Sequence, residues 1–290
     1  MGPTASGKTG LSIELAKSLK TEIISVDSRQ FYKEMKIGTA KPSPDQLAEA
    51  KHHFIDNLSI TEPYSAGHYA KEAHQLLARL FKDYDTVVAV GGSTLFYRAL
   101  LEGIDEFPQV TSQARDKVKA LEAGEGLLGL QSALLAVDPE YYGTVDIYNP
   151  RRVVRALEIS YSGAIPYSAY LNKKQHQPDY QIIKIGLNLN RDVLYERIDQ
   201  RCDEMIANGL VQEVEALLPY RHLIPLHTVG YTEFFEYLDG KNDLQTAIKL
   251  FKQHTRNYAK RQMTWLRKEP NLNWISQVSL ESLQELVRDN

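Results

Sequence analysis

Eight residues near the start of the chain, Gly2-Pro3-Thr4-Ala5-Ser6-Gly7-Lys8-Thr9, match the phosphate-loop pattern of two glycines followed by a Lys-Ser/Thr pair. Glycines let the backbone curl until its N–H groups converge on phosphate oxygens, and the helix that follows turns its positive dipole end toward them. Lys8 adds a mobile charge, and the Thr9 hydroxyl can ligate Mg²⁺. A plain glycine turn before a helix is the alternative; the filled fixed positions and the good helix behind them favour the phosphate cradle. The motif signals phosphate rather than ATP hydrolysis, because kinases, NTPases and other nucleotide or diphosphate users share it. Asp27 is the next chemically suggestive residue, a carboxylate at the end of an apolar run. It can act as a base, hold Mg²⁺ through water, or close a turn.

The elements that must position these groups alternate. Leu11, Ile13, Leu15, Ala16 and Leu19 fit a helix after the loop, and Glu22–Val26 reads as a strand ending at Asp27. Ser65–Tyr84 reads as an amphipathic helix capped by Ser65, and Thr86–Val90 as a second buried strand. Gly91-Gly92 turns that strand into a helix through Leu101. This βαβ order predicts an α/β fold, a P-loop-type parallel sheet wrapped by helices, with ligands at the carboxyl ends of the strands. From Thr111 to Ser162 the pattern is helical only, Pro166–Pro178 reads as a loop, and Gln181–Asn188 as a returning strand. From Arg191 onward the chain reads as mainly helical. The expected organisation is a P-loop core in residues 1–110, a mainly helical insertion in 111–179, and the rest of the core with a basic C-terminal helix in 180–290. Only Met1 precedes the phosphate loop, where the motif normally follows a buried strand. Losing a central strand would open two unpaired edges, so an incomplete N-terminus is expected.

Composition sets the compartment and the partners. Of 290 residues, 43% are hydrophobic and 24% charged, ordinary for a soluble globular chain. The longest strongly apolar run, Val87–Val90, is far too short for a membrane span. No signal-like segment opens the chain, and Cys202 is the sole cysteine, which together predict a cytoplasmic protein with no membrane partner. The net charge of −3 hides a local excess: Lys249–Lys268 carries seven Lys or Arg and no acid, so the remainder is −10. Lys249, Lys252, Arg256, Lys260 and Arg267 share one helical stripe, with Phe251, Tyr258 and Trp265 on the other side. A basic face on an apolar anchor suits a phosphate backbone. Arg151, Arg152 and Arg155 crowd five residues, facing either water or phosphate. His52, His53, His222 and His227 show no metal-ligand spacing.

The phosphate loop, Asp27-Ser28-Arg29-Gln30-Phe31-Tyr32 and Lys36–Pro42 together resemble the signature blocks of the tRNA dimethylallyltransferase (IPP transferase) family. The likeness continues through His53–Asp56, Gly91-Gly92-Ser93, Asn149–Glu158, Met205–Val214 and Val229-Gly230-Tyr231, and ends at Ala259–Trp265. It implies transfer of a dimethylallyl group from dimethylallyl diphosphate to N6 of the adenosine 3′ of the anticodon in tRNA, with pyrophosphate leaving. It implies that Gly2–Thr9 and Mg²⁺ hold the diphosphate, that Asp27 is the general base, and that Ser28, Arg29 and Gln30 contact a flipped adenosine. Ser93 stands where the family most often has threonine, and either Ser93 or Thr94 would supply the hydroxyl near the reacting groups. Arg115 matches a tRNA-touching position, and Arg151, Arg152 and Arg155 are expected at phosphates. A monomer is expected. A P-loop small-molecule kinase and an inactive RNA-binding relative stay open; the first would not need the basic stripe, and the second would not need Lys8, Thr9 and Asp27.

Overall fold

The structure, a computed structural model, describes residues 1–171, 178–276 and 279–288. In chain order the elements are α1 (Lys8–Leu19), β1 (Ile23–Val26), α2 (Pro44–Glu49), β2 (His52–His53), α3 (Ala66–Leu80), β3 (Val88–Gly91), α4 (Thr94–Glu102), α5 (Ser112–Val137), α6 (Pro139–Tyr142), α7 (Pro150–Ser162), β4 (Lys184–Leu187), α8 (Arg191–Ala207), α9 (Leu210–Ala216), α10 (Thr232–Leu238), α11 (Leu244–Leu266), β5 (Leu272–Ile275) and α12 (Leu280–Arg288). They form two compact units, residues 1–101 with 178–290, and residues 102–177.

The first unit is α/β. All four residues of β1 are buried, as expected of a central strand in a parallel sheet with both faces covered. β1 pairs in parallel with β2 and β3, in register Ile23↔Val88 through Val26↔Gly91. Gly91 has to be glycine: an added Cβ would lie 2.0 Å from the Val26 carbonyl oxygen. That register brings the ends of β1 and β3 together and sets Asp27 beside the Gly91-Gly92 turn. The sequence predicts the second strand at 86–90, whereas it spans Val88–Gly91; the Thr86 carbonyl instead accepts from the Thr21 hydroxyl. Tyr69 on α3 is fully buried and donates to the Ser25 carbonyl at 2.9 Å, tying that helix to β1.

The stretch after Arg191 is not helical throughout. β5 pairs in parallel with β4, from Lys184↔Leu272 to Leu187↔Ile275, so the parallel strands form two sheets. Met1 joins the second of these: its ammonium donates to the Ile185 carbonyl at 2.6 Å, and Leu187 N–H donates to the Met1 carbonyl at 3.0 Å. A cavity of about 410 Å³ lies between the sheets, bordered by Val88 and Val90 of β3, Ile185 and Leu187 of β4, and Leu283 of α12. The apolar core spans both sheets through Leu11, Ile13, Ile23, Leu187, Ile275 and Leu283.

The second unit is helical. α7 buries Val153, Ala156, Leu157 and Ile159 on one face, and Val153, Ala156 and Leu157 cluster with Val118, Leu130 and Leu134 of α5. Asn149 caps α7 by accepting from Arg152 N–H, with Pro150 in the first turn, where its missing N–H costs nothing. α5 has the length and composition of a membrane-spanning helix. However, Gly126 (φ 62°, ψ −152°) breaks its backbone, and its inner face packs against α7. The expected loop at 166–178 contains a short 3₁₀ turn at Tyr167–Tyr170, and residues 172–177 lie outside those described.

Candidate active site

The phosphate loop curls as its residue types demand. Gly7 sits at φ +86° immediately before α1, the left-handed region that favours glycine. An added Cβ on Gly2 would meet Ser6 Oγ at 2.9 Å, so the loop closes tightly on itself. Lys8 folds back over its own loop, donating to the Pro3 carbonyl and, at 3.4 Å, to Ser6 Oγ. Burial and the neighbouring Arg201 guanidinium bring Lys8 down to about 7, partly opposed by Asp27. A cation so poorly solvated is poised for an anion. Lys8 and Thr9 line one small pocket together with Asp27, Gln30, Gly92, Arg201, Tyr258 and Gln262.

Asp27 enters this pocket from the end of β1. Its Oδ1 accepts Arg29 N–H at 2.8 Å and Gln30 N–H at 3.2 Å, a turn that fixes the carboxylate plane. Among the described residues no hydrogen bond is made to Oδ2. Burial raises the Asp27 pKa above the usual carboxylate range, against the two N–H groups, Arg29 and Lys8. Ser28 and Ser93 are joined twice: Ser28 N–H donates to Ser93 Oγ at 2.9 Å, and Ser93 Oγ donates to Ser28 Oγ at 3.2 Å. Ser93, rather than Thr94, therefore turns its hydroxyl to the Asp27–Gln30 turn; Thr94 opens α4.

Gln30 lines the pocket, but its amide is engaged within the protein. Nε2 donates to the Thr39 and Ala40 carbonyls, both at 3.2 Å, and Oε1 accepts from Ser25 Oγ at 3.2 Å. Arg29 Nη1 donates to the Ser28 carbonyl at 2.8 Å, while its buried Nε has no partner among the described residues. The loop that supplies the Gln30 contacts is itself clamped by Glu213, which accepts from the N–H groups of Lys36, Ile37 and Gly38 and from the Tyr231 hydroxyl.

Three further pocket residues come from the C-terminal helices. Arg201 on α8 donates from Nη2 to Thr4 Oγ1, and its buried Nε has no partner among the described residues. Its pKa is lowered chiefly by burial. Tyr258 and Gln262 lie one turn apart on α11, and burial raises Tyr258 to about 12. Gln262 falls in the Ala259–Trp265 block and is a polar residue on the face that buries Phe251, Ala259 and Leu266; Tyr258 belongs to the aromatic repeat, and Arg201 alone of the three has no signal in the sequence.

The remaining candidates lie elsewhere. Arg115, Arg151, Arg152 and Arg155 are all exposed in the helical unit; Arg155 sits over the Phe107 ring at 5.8 Å. The basic stripe of α11 divides. Lys252 pairs with Asp203 at 2.7 Å and Arg256 pairs with Asp199 through Nη1, so both hold α11 to α8. Lys249, Lys260, Arg261, Arg267 and Lys268 remain exposed. The aromatics opposite them also divide, with Phe251 in the core and Tyr258 in the pocket wall.

Comparison with known proteins places the chain in a family. Residues 30–269 match the model of the IPP transferase family. The chain is 48% identical over 275 residues to the tRNA dimethylallyltransferase of Christiangramia forsetii, covering 95% of this chain and 91% of that one. It is 42% identical over 288 residues to tRNA dimethylallyltransferase 1 of Bacteroides thetaiotaomicron, covering 99% and 94%. Its fold is similar to that of the tRNA isopentenylpyrophosphate transferase of Bacillus halodurans, with a TM-score of 0.73 and 33% identity over 99% of this chain and 94% of that one. The chain belongs to the IPP transferase family, the tRNA dimethylallyltransferases, and is a prenyltransferase.

Proposed function

We propose that this protein transfers a dimethylallyl group from dimethylallyl diphosphate to N6 of the adenosine 3′ of the anticodon in tRNA, releasing pyrophosphate. The observation that carries this reading is the convergence, in one pocket, of a phosphate loop, two half-buried cations and a carboxylate: Lys8 and Arg201 beside Asp27. A kinase would also use a phosphate loop and an aspartate, but the family to which the chain belongs favours transfer to tRNA.

The chemistry follows from charge. The bond from adenine N6 to the allylic carbon forms as the carbon–oxygen bond to the diphosphate breaks, and its electron pair leaves with pyrophosphate. Lys8, Arg201 and the loop N–H groups neutralise that developing charge. The proton lost from N6 goes to Asp27, whose Oδ1 is held by the turn while Oδ2 faces no protein donor among the described residues. Elevation of the Asp27 pKa by burial makes it a stronger proton acceptor than a solvated carboxylate. The Ser28–Ser93 pair braces the turn that carries Asp27.

Mg²⁺ fits this donor set. Thr9 offers a hydroxyl, a hard oxygen donor, and no group of three or more His, Cys, Asp or Glu forms a cage among the described residues. That suits a cation held largely by diphosphate oxygens and water, which would supply charge neutralisation on the leaving group. The exposed arginines 115, 151, 152 and 155 suit tRNA phosphates.

Nucleoside mass spectrometry tests the reading, using unmodified tRNA incubated with the protein, Mg²⁺ and dimethylallyl diphosphate while ATP consumption is followed in parallel. Prenylated adenosine without ATP use is the expected result. ATP turnover onto a small acceptor, with no prenylation, would hand the site to a kinase.

A further inference from the structure

Gln262 sits where the two halves of the pocket meet, and the structure assigns it as the positioning residue that locks the phosphate loop to the Gly91-Gly92-Ser93 turn. This assignment deepens the proposed function and rests on it. The side chain is only 3% exposed. Its Oε1 accepts Thr4 N–H at 2.9 Å, and its Nε2 donates to the Gly92 carbonyl at 2.7 Å. One planar amide thereby spans the loop that holds the leaving group and the turn that carries Ser93. An amide of this reach supplies one acceptor and one donor at once, whereas an ionised carboxylate lacks the donor and an ammonium lacks the acceptor.

The surroundings leave that amide little freedom. A Cβ on Gly92 would stand 2.3 Å from Gln262 Nε2, so the turn comes this close only because Gly92 has no side chain. Thr4 is held from a second direction by Arg201, which reaches its hydroxyl from α8. Thr4 is therefore fixed by two helices, and the Gly92 end is fixed by the same amide. Relaxing the amide would let the phosphate loop shift relative to the Ser93–Ser28 pair and hence to Asp27. Small displacements between leaving group and base weigh heavily on rate. Gln262 touches no reacting atom in this scheme and acts through the two backbones that it joins.

The test is a comparison of Gln262→Glu and Gln262→Met with wild type. Glutamate is nearly isosteric. Protonated, it can accept from Thr4 and donate to Gly92; ionised, it repels the Gly92 carbonyl. The ionisable groups sharing its pocket are Lys8, Asp27, His52, Arg201 and Tyr258, so each variant is referred to wild type at the same pH. Inorganic pyrophosphate affinity is read by calorimetry and prenyl transfer by single turnover, between about pH 5.5 and about pH 8.

For Gln262→Glu, both readouts should stay near wild type at the acid end and fall roughly tenfold at the alkaline end. Gln262→Met, which keeps volume and loses both bonds, should be reduced at every pH. Wild-type pyrophosphate affinity in Gln262→Met, or a Gln262→Glu deficit that does not change with pH, overturns the assignment. If Gln262→Met does not fold, as read by circular dichroism, the Gln262→Glu comparison decides alone. If wild type itself makes no prenylated adenosine, the proposed function fails, while the pyrophosphate arm still decides whether Gln262 locks the loop.

Discussion

The two units handle positive charge in opposite ways. In the α/β unit Lys8 and Arg201 are half-buried against a phosphate loop and an aspartate, and desolvation lowers the pKa of each. In the helical unit Arg115, Arg151, Arg152 and Arg155 stand in water above an apolar core. A half-buried, underpaired cation is costly unless an anion arrives, so the first arrangement points to chemistry on a bound diphosphate. A solvated cation costs little and gains mainly by displacing counterions from a polyanion, so the second points to docking.

The sharpest way to break this contrast is to remove the half-buried charge. Lys8→Ala or Arg201→Ala should each weaken pyrophosphate binding by roughly 10- to 100-fold, the range for a charge-assisted hydrogen bond, when measured by calorimetry. Unchanged affinity would mean that the pocket is not a diphosphate site.

A pH experiment refines the point. Lys8 lies near 7 in the free protein, and a bound diphosphate would favour its charged form. Binding should therefore take up a proton above neutrality, and affinity should fall as pH rises from about 7 to about 9. Lys8→Arg should flatten that fall, because guanidinium stays charged. Calorimetry in buffers of different ionisation enthalpy reads the uptake directly, and no proton uptake by wild type at pH 8 would contradict the Lys8 assignment.

The exposed arginines predict a smaller and different effect. Arg151→Ala, Arg152→Ala and Arg155→Ala should each weaken tRNA binding, with the slope of log affinity against log salt reduced by about one per phosphate contact. Saturated turnover should hold. A loss of turnover with unchanged salt slope would move these arginines from docking to catalysis.

Lys252→Ala should do least. Its partner Asp203 is well exposed, so the expected change in stability is within about 1 kcal/mol, and tRNA affinity should barely move. A large drop in tRNA affinity would return Lys252 to the docking face that the stripe alone suggests.

Legibility in the sequence follows locality. The phosphate loop, Asp27 and the Gly91-Gly92-Ser93 turn are readable because each is a short contiguous segment whose residue types have few other uses. Arg201 is not, because a single arginine in α8 has the composition of a solvated face until tertiary packing carries it to Thr4. Gln262 leaves a faint trace, a polar residue at a buried helical position, yet only the fold reveals what it spans. Two strands, β2 and β5, escaped for a related reason. β2 covers only two residues, and β5, though as long as β1 and β3, is defined by its pairing with β4, far back along the chain. The stripe of α11 misled because periodicity marks a shared face without saying what covers it; Asp199 and Asp203 do.

The central claim is that one pocket holds the leaving diphosphate and the base that takes the amine proton. The pH dependence of single-turnover prenyl transfer tests it most directly, in wild type and Asp27→Asn, with saturating tRNA and dimethylallyl diphosphate. In wild type the rate should rise with pH on the acid side, with a midpoint above the usual carboxylate range, because burial favours the protonated form of Asp27. Asp27→Asn can still accept the Arg29 and Gln30 N–H groups, so it should bind both substrates. Its rate should fall by roughly 10²- to 10⁴-fold and lose the acid limb. An Asp27→Asn enzyme with the wild-type rate and the wild-type profile would contradict the account.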